Sequence, residues 1–545
     1  MYQTSTAVPA AAAEAAGDKT RGPDARSARW RKALVDPVDA SSLAYFRIFF
    51  GLILVWEVWR YFDPAHDWIS KYFAEPQVNF TYWPFEFVSP WPGPGMWIHF
   101  ALLGVAAACM AAGIAYRVSS AALFVLISYV FLLDQARYLN HIYLVCLLAL
   151  IMVVIPAHRT FSVDARLRPR VRSDTVPAWS LWLLRFQIAV PFVFGGIAKL
   201  SADWLAGEPL RAWLSERSDF PLVGSLFTNE AVVWTAVYGS LLLDLVVIPL
   251  LLFKRTRLAG FAGLLVFSFM NARLFHIGIF PWLMIVAAAL FFDADWPRRL
   301  CQDLRGHKPA PVIATALGFA SGVGIYVWLM RAVSVPEALL AGCGVAIFAY
   351  HVQRSFAGRA ARQNKPRRLE GASYAAGALA DRPGDVRDSG RAQRVALAGL
   401  VAAFVAVQVM MPLRHFVIPG NANWTEEGHN YAWHMKLRDK SSVEASMHVR
   451  DPVTGAETVI DPRGYLEDHQ VTPALTRPDL LAQLAQYVEA DRRGADGRDL
   501  EVRMRVVVKL NDREPGLLVD PNVDLTTVGR PVMPGAGWIL PVPAR

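Results

Sequence analysis

Residues 178–204 read AWSLWLLRFQIAVPFVFGGIAKLSADW, an apolar run with a glycine pair, Gly195–Gly196, that ends on one amine, Lys199, before the chain turns polar. At about 1.5 Å of rise per residue, a helix from Ala178 to Lys199 crosses a hydrocarbon core of about 30 Å. That length puts Lys199 where acyl chains meet headgroups, the position at which lysines ordinarily snorkel and anchor. Runs of this kind recur along all 545 residues, of which 54% are hydrophobic. Together with a mean hydropathy of +0.29 they define a polytopic membrane protein and exclude a water-soluble one. The net charge of +9 does not mark a nucleic-acid binder, because Lys and Arg gather in the gaps between apolar runs, as membrane orientation requires. Cys109, Cys146, Cys301 and Cys343 lie in or beside apolar segments with no CxxC spacing, so neither a disulfide framework nor a metal site is expected.

Working outward from the lysine segment, the apolar runs predict an all-α bundle of about eleven transmembrane helices. Residues 1–41 form a basic tail with no apolar signal region, placed in the cytoplasm by the positive-inside rule. Spans are expected at 42–62, 95–116, 118–133, 139–156, 178–199 and 231–253. The stretch 258–292, too long for one crossing, is expected as two helices hinged near Asn271 to Pro281. Residues 42–300 thus make a first membrane domain. An apolar hairpin follows within 301–352, then a basic, aperiodic cytoplasmic loop at 353–393 that reads as disordered, and a last span at 394–411. From 412 to 545 the composition is that of a small soluble β-rich or α+β domain on the outer face. Alternating segments Val443–Arg450 and Leu500–Lys509 predict strands, and Asp479–Arg492 predicts a helix. An odd number of crossings puts this domain outside.

Charges inside hydrocarbon need partners or purposes. Arg47, Arg185 and Asp244 fall roughly 8–14 Å from the cytoplasmic boundary, which predicts a structural ion pair or triad among them. Lys199 ends an outward span, Asn140 and His141 start an inward one, and Asn271, Arg273 and His276 occupy the hinge, so alternation brings an amine, two imidazoles and amides to one depth in the outer leaflet. Glu57 and Arg60 face the same region. A lysine acts as a base only when burial disfavours its ammonium, and a dry pocket of this kind suits a lipophilic acid such as a quinol.

Several segments, in order, carry a family resemblance: DPVDASSLAYFRIFFG (36–51), YVFLLDQARYLNHIYL (129–144), FSVDARL (161–167), GGIAKLSADW (195–204), LLLDLVV (241–247), FMNARLFHIGIF (269–280), MPLRHFVIPGNANWTEEGHNYAWHM (411–435) and DPNVDL (520–525). With these the chain resembles the vitamin K-dependent γ-glutamyl carboxylases and their bacterial relatives in the horizontally transferred transmembrane domain (HTTM) family. The resemblance implies a bacterial inner-membrane enzyme in which a lysine deprotonates reduced vitamin K, a naphthohydroquinone. Oxygen then adds, and a strongly basic alkoxide removes a γ-proton from a peptide or protein glutamate, which takes up CO2 as the quinone leaves as its epoxide. On this sequence the family's lysine falls on Lys199, and the histidine of its carboxylation half on His141. Asn140, Asn271, His276, Phe280, Met410 and Met411 become quinone-binding candidates. Trp424, His429, Tyr431, Trp433 and Met435 become glutamate-side contacts. The expected partners are the bilayer, the quinone and the glutamyl substrate, with no metal and no nucleic acid.

The chain departs from the animal enzymes at Ala198, where they have a second lysine, in HMKLRDK (434–440), at Asn522 and in the added 311–350 hairpin. The departures in 434–440 and at Asn522 fall on the glutamate side, so quinol oxygenation without carboxylation stands as an alternative. A non-catalytic quinone- or lipid-binding protein is a second alternative. A transporter is a third, against which there is no inverted repeat.

Overall fold

The computed structural model describes residues 34–275, 277–330, 334–363, 389–493, 497–530 and 535–544. The basic residues of the tail before residue 34, His276 and residues 364–388 of the expected cytoplasmic loop lie outside that set. The bundle runs α1 (Ser41–Tyr61), α2 (Gly95–Ala112), α3 (Tyr116–Leu132), α4 (Asn140–Val154), α5 (Ala178–Ala198), α6 (Glu230–Leu252), α7 (Arg257–Phe275), α8 (Phe280–Ala288), α9 (Pro309–Met330), α10 (Val335–Gln363) and α11 (Ser389–Leu413). Eight of these are long and apolar enough to cross a membrane. The segment Phe280–Phe291 joins the helix Trp296–Arg305 at a 92° bend as a ninth candidate, and α3 and α4 are shorter apolar helices of 17 and 15 residues. The eleven apolar segments of the sequence therefore each become a helix. The stretch 258–292 breaks between Phe275 and Phe280, where Gly278 takes a positive φ of 57°. Where the sequence predicts a loop from residue 353, α10 continues to Gln363, and residues 354–359 are exposed beyond the apolar part.

Two contacts tie one end of the bundle together and show that α1 and α5 start from it. Residues just before α1 and just before α5 pair as an antiparallel ribbon, β1 (Pro37–Asp39) with β2 (Thr175–Pro177), so both helices start from one end. At the same end Arg298 donates to Asp39 at 2.8 Å and pairs with Asp174 at 2.9 Å.

The opposite end carries the C-terminal domain. It is an α+β unit with the sheet order β4 (Glu457–Ile460), β3 (Lys440–Arg450), β5 (Glu501–Leu510), β6 (Gly516–Leu517), all neighbours antiparallel. The period of two in β5 buries Val502, Met504, Val506, Val508 and Leu510 on one face. Against that face pack α12 (Asp468–Thr476) and α13 (Pro478–Arg492) through Leu475, Leu480, Leu481, Leu484 and Val488. Docking onto the bundle is polar. Gln470 donates to the Val78 carbonyl and to Asp134, both at 2.9 Å, and Gln483 accepts the Thr81 N–H at 2.9 Å. Arg513 and Asn511 donate to Asp203 at 2.7 and 3.0 Å. The docked segments follow α1, α3 and α5, so all three helices end under this domain.

Candidate functional site

Lys199 caps the C-terminus of α5 and is buried, with 6% of its surface exposed. Its ammonium donates to Asp244 Oδ2 at 2.6 Å and lies 5.0 Å from the Trp204 ring and 5.8 Å from that of Phe267. Asp244 stands well inside α6, about 21 Å from its start and about 12 Å from its end by helical rise. The amine is therefore at membrane depth, not at the expected headgroup rim. The reason is local: α5 stops and the short helices Ala202–Leu205 and Leu210–Ser215 fill the space beside the outer half of α6, with the Trp204 indole donating to the Val237 carbonyl at 3.2 Å. The glycine pair makes room for the acid. A Cβ at Gly196 would stand 2.7 Å from Leu245 and 3.3 Å from the Asp244 Cβ.

The expected cluster of Arg47, Arg185 and Asp244 does not form. Arg47, fully buried, donates to the carbonyls of Ala111 (3.2 Å), Ala157 (2.7 Å) and Phe161 (2.5 Å). Arg185 donates to those of Leu290 (2.8 Å) and Phe292 (3.0 Å). All of these acceptors except Phe161 lie at or just past the C-terminal ends of helices, where carbonyls lack intrahelical donors and carry the negative end of the helix dipole. Helix ends thus satisfy both arginines, and the carboxylate of Asp244 is left for Lys199.

Beneath the C-terminal domain lies a cavity of ≈ 890 Å³, within the range of about 300–1,000 Å³ typical of small-molecule sites. Asn140 and His141, at the start of α4, line it together with Phe280 of α8, and the His141 and Phe280 rings are 6.3 Å apart. Asn140 accepts from Tyr138 at 2.9 Å and donates to the His434 carbonyl at 3.1 Å, fixing the wall to the roof. The roof is the segment His434–Lys440, every residue of which lines the cavity. Six cations face the space, Arg60, Arg137, Lys436, Arg438, Lys440 and Arg477, against the acids Glu57 and Asp439. Arg60 pairs with Glu57 at 2.8 Å, Arg438 and Lys440 with Glu426 (3.1 Å for the lysine), and Arg477 with Asp479 at 3.0 Å.

Arg137 and Lys436 form no salt bridge among the described residues and lie instead on aromatic rings. Arg137 is 4.1 and 4.3 Å from the Tyr72 and Phe73 centroids, and Lys436 is 5.4 and 5.3 Å from those of Trp213 and Phe275. Desolvation beside these rings holds the Lys436 ammonium below its usual range, although the residue stays exposed. Two imidazoles complete the roof, His429 Nδ1 lying 3.2 Å from His434 Nδ1. Burial, and then the neighbouring His415, push His434 down to about 3. Burial, and then His434, hold His429 well below the ordinary histidine range.

The structure sorts the remaining sequence-derived residues. His429 and Met435 line the cavity, whereas Trp424, Tyr431 and Trp433 do not. The Trp424 indole donates to the Leu540 carbonyl at 2.8 Å inside the C-terminal core. Tyr431 meets Tyr143 edge-on and Trp433 lies tilted against it, with ring centroids 4.9 and 5.3 Å away, as packing between domain and bundle. Asn271 is half-buried away from the cavity, and neither Met410, 70% exposed on the outer face of α11, nor Met411 lines it. Lys199 also lies outside the lining, behind Met435. A Cβ at Gly195 would stand 3.3 Å from Met435 Cε and 3.8 Å from Asp244 Oδ2, so the ion pair and the cavity wall meet on that glycine. The roof cations are the feature that sequence reasoning passed over, noted only as a departure in 434–440. No group of three or more His, Cys, Asp or Glu among the described residues is placed to hold a metal.

A helical membrane bundle whose last helix leads into an α+β domain over a cation-rich cavity is a polytopic integral-membrane protein with a folded domain on one face. Residues 35–296 match the HTTM domain, and residues 393–545 match the lumenal domain of vitamin K-dependent gamma-carboxylase. No solved structure matches the chain. With both domains present in this order, the chain belongs to the gamma-carboxylase family. Its C-terminal domain is accordingly the luminal one, and the hairpin of α9 and α10 lies between the two matched regions.

Proposed function

We propose that the chain is a vitamin K-dependent γ-carboxylase of a bacterial inner membrane, with the tail before α1 in the cytoplasm and the C-terminal domain outside. Reduced vitamin K, O2 and CO2 are its co-substrates, and peptide glutamate is the acceptor. The observation that carries the reading is the cavity itself, roofed by cations, walled by aromatics and backed by a buried lysine.

The dimensions and lining fit a naphthohydroquinone, with Phe280, Phe275, Trp213, Trp68 and Tyr72 supplying flat apolar faces. When bound, the quinol supplies through its oxygenation the strong base that a glutamate γ-proton requires. The residues of the chain do the rest. Asp244 takes a proton from the Lys199 ammonium it contacts, and the freed amine, held beside Gly195, then takes the quinol hydroxyl proton and becomes an ammonium again. Met435 is the side chain that must yield for the amine to reach the cavity. His141, in the cavity wall and close to Phe280, handles a proton in the carboxylation half. Arg137 and Lys436, the cavity cations without a salt-bridge partner among the described residues, attract the substrate carboxylate.

The test is uptake of labelled bicarbonate into a glutamyl peptide by purified protein given reduced naphthoquinone and oxygen. Label in the peptide, lost in His141→Ala while epoxide still forms, is the expected result. Epoxide without label in the wild type would reduce the protein to a quinol oxygenase.

A further inference from the structure

The main cavity continues into a smaller chamber enclosed by α1, α2, α3 and α4, with a volume of ≈ 50 Å³. Of its fourteen lining residues, ten carry no polar side-chain atom. Leu54, Val58, Phe100, Leu103 and Ile127 are each at most 7% exposed and form its deep wall, whereas Val130, Phe131 and Ile142 are half-buried and Leu139, which lines both spaces, is exposed at its mouth. Its polar residues stand at the junction, since Glu57, Tyr61 and Arg137 line both spaces. The fourth, Asp134, is occupied by the Gln470 amide at 2.9 Å and the Ala136 N–H at 2.8 Å. A buried water needs about two to four polar partners, and the apolar part of the chamber offers none. Apolar cavities stay dry and take up apolar guests, and one of about 150 Å³ accommodates benzene. A third of that volume excludes a naphthoquinone ring and admits only a very small molecule.

We propose that this chamber is a holding site for the small apolar gases O2 and CO2. The assignment rests on the carboxylase reading above, which makes both gases co-substrates. Both are uncharged, carry no net dipole and dissolve in hydrocarbon better than in water, so a dry pocket at membrane depth concentrates them beside the cavity in which they react. Arg137 stands at the junction with Nη1 buried and without a hydrogen-bond partner, a donor for an oxygen atom of CO2 leaving the chamber.

The experiment locates xenon in the full-length protein under pressure, by its anomalous scattering in crystals, and measures KM separately for O2, CO2 and the naphthoquinol. One xenon site is expected between Leu103 and Ile127. Ile127→Phe, which fills the chamber, is expected to remove it and to raise KM for O2, CO2 or both several-fold with KM for the quinol unchanged; the gas affected is the occupant. Leu103→Ala, which enlarges the chamber without crowding it, should keep the xenon site and raise neither gas KM. Absence of xenon from the wild type, or a folded Ile127→Phe protein with both gas KM values within twofold of the wild type, would overturn the proposal. Xenon in the chamber of a wild type that forms no epoxide would instead overturn the carboxylase reading, and with it the identity of the occupant.

Discussion

Two polar regions of this molecule lie back to back across Gly195, and they are built on opposite principles. On one side Lys199 and Asp244 form a closed pair, one charge matched by one charge, with no room for a ligand. On the other, the cavity beneath the luminal domain has six cations in its lining, of which Arg137 and Lys436 form no salt bridge among the described residues, and space for small molecules. The matched pair is a device for keeping an amine at membrane depth, since an isolated ammonium there would be strongly disfavoured. The mismatched cavity is a device for attracting something acidic. An enzyme that strips a proton from a lipophilic quinol and delivers the result to a glutamate needs both, side by side.

The comparison is broken most severely at the pair. Replacing Lys199 by Ala should lower epoxide formation by about 10²–10⁴-fold, the range of a positioned general base, as measured by product chromatography on folded protein. The pair should also behave as a unit in stability. Asp244→Leu alone should cost about 3–5 kcal/mol by leaving a buried charge unmatched, whereas adding Lys199→Met should recover most of that loss in denaturation experiments in detergent. The cavity should respond differently. Lys436→Glu should raise KM for an acidic peptide about tenfold, equivalent to about 1.4 kcal/mol, and barely move stability or KM for the quinol.

The smallest effect is on pH dependence. His429 and His434 are neutral when folded and bind protons near pH 6.5 when unfolded, so the unfolded chain gains protons first as the medium is acidified. Stability should therefore fall as pH drops from about 6.5 toward about 3, and His434→Gln should flatten that slope in melting curves.

Much of this architecture was legible in the sequence. Hydrophobic runs marked all eleven helices of the bundle, and period-two alternation marked β3 and β5, because each depends on neighbours along the chain. The offset between helices does not. Whether Asp244 meets Lys199 or Arg185 depends on where α5 stops relative to α6, and the short helices at 202–215 decide that. Arg47 and Arg185 were assigned to a side-chain partner because helix-end carbonyls leave no trace in side-chain chemistry. Met410 was read as a quinone contact, but α11 is peripheral, with only 11% of its apolar window buried, and its sequence is apolar on the lipid face as well. The roof leaves no mark in the sequence because 434–439 is irregular backbone leading into β3, with no periodicity to show that all seven residues from His434 to Lys440 face one space.

The central claim is that the buried amine beside this cavity does chemistry on a reduced naphthoquinone. It is tested most directly by supplying bilayer-reconstituted protein with that quinol and ¹⁸O2 and reading the epoxide by mass spectrometry. The account predicts ¹⁸O-labelled epoxide from the wild type and none above background from a folded Lys199→Ala protein. Equal label from both proteins, or none from the wild type, would contradict it.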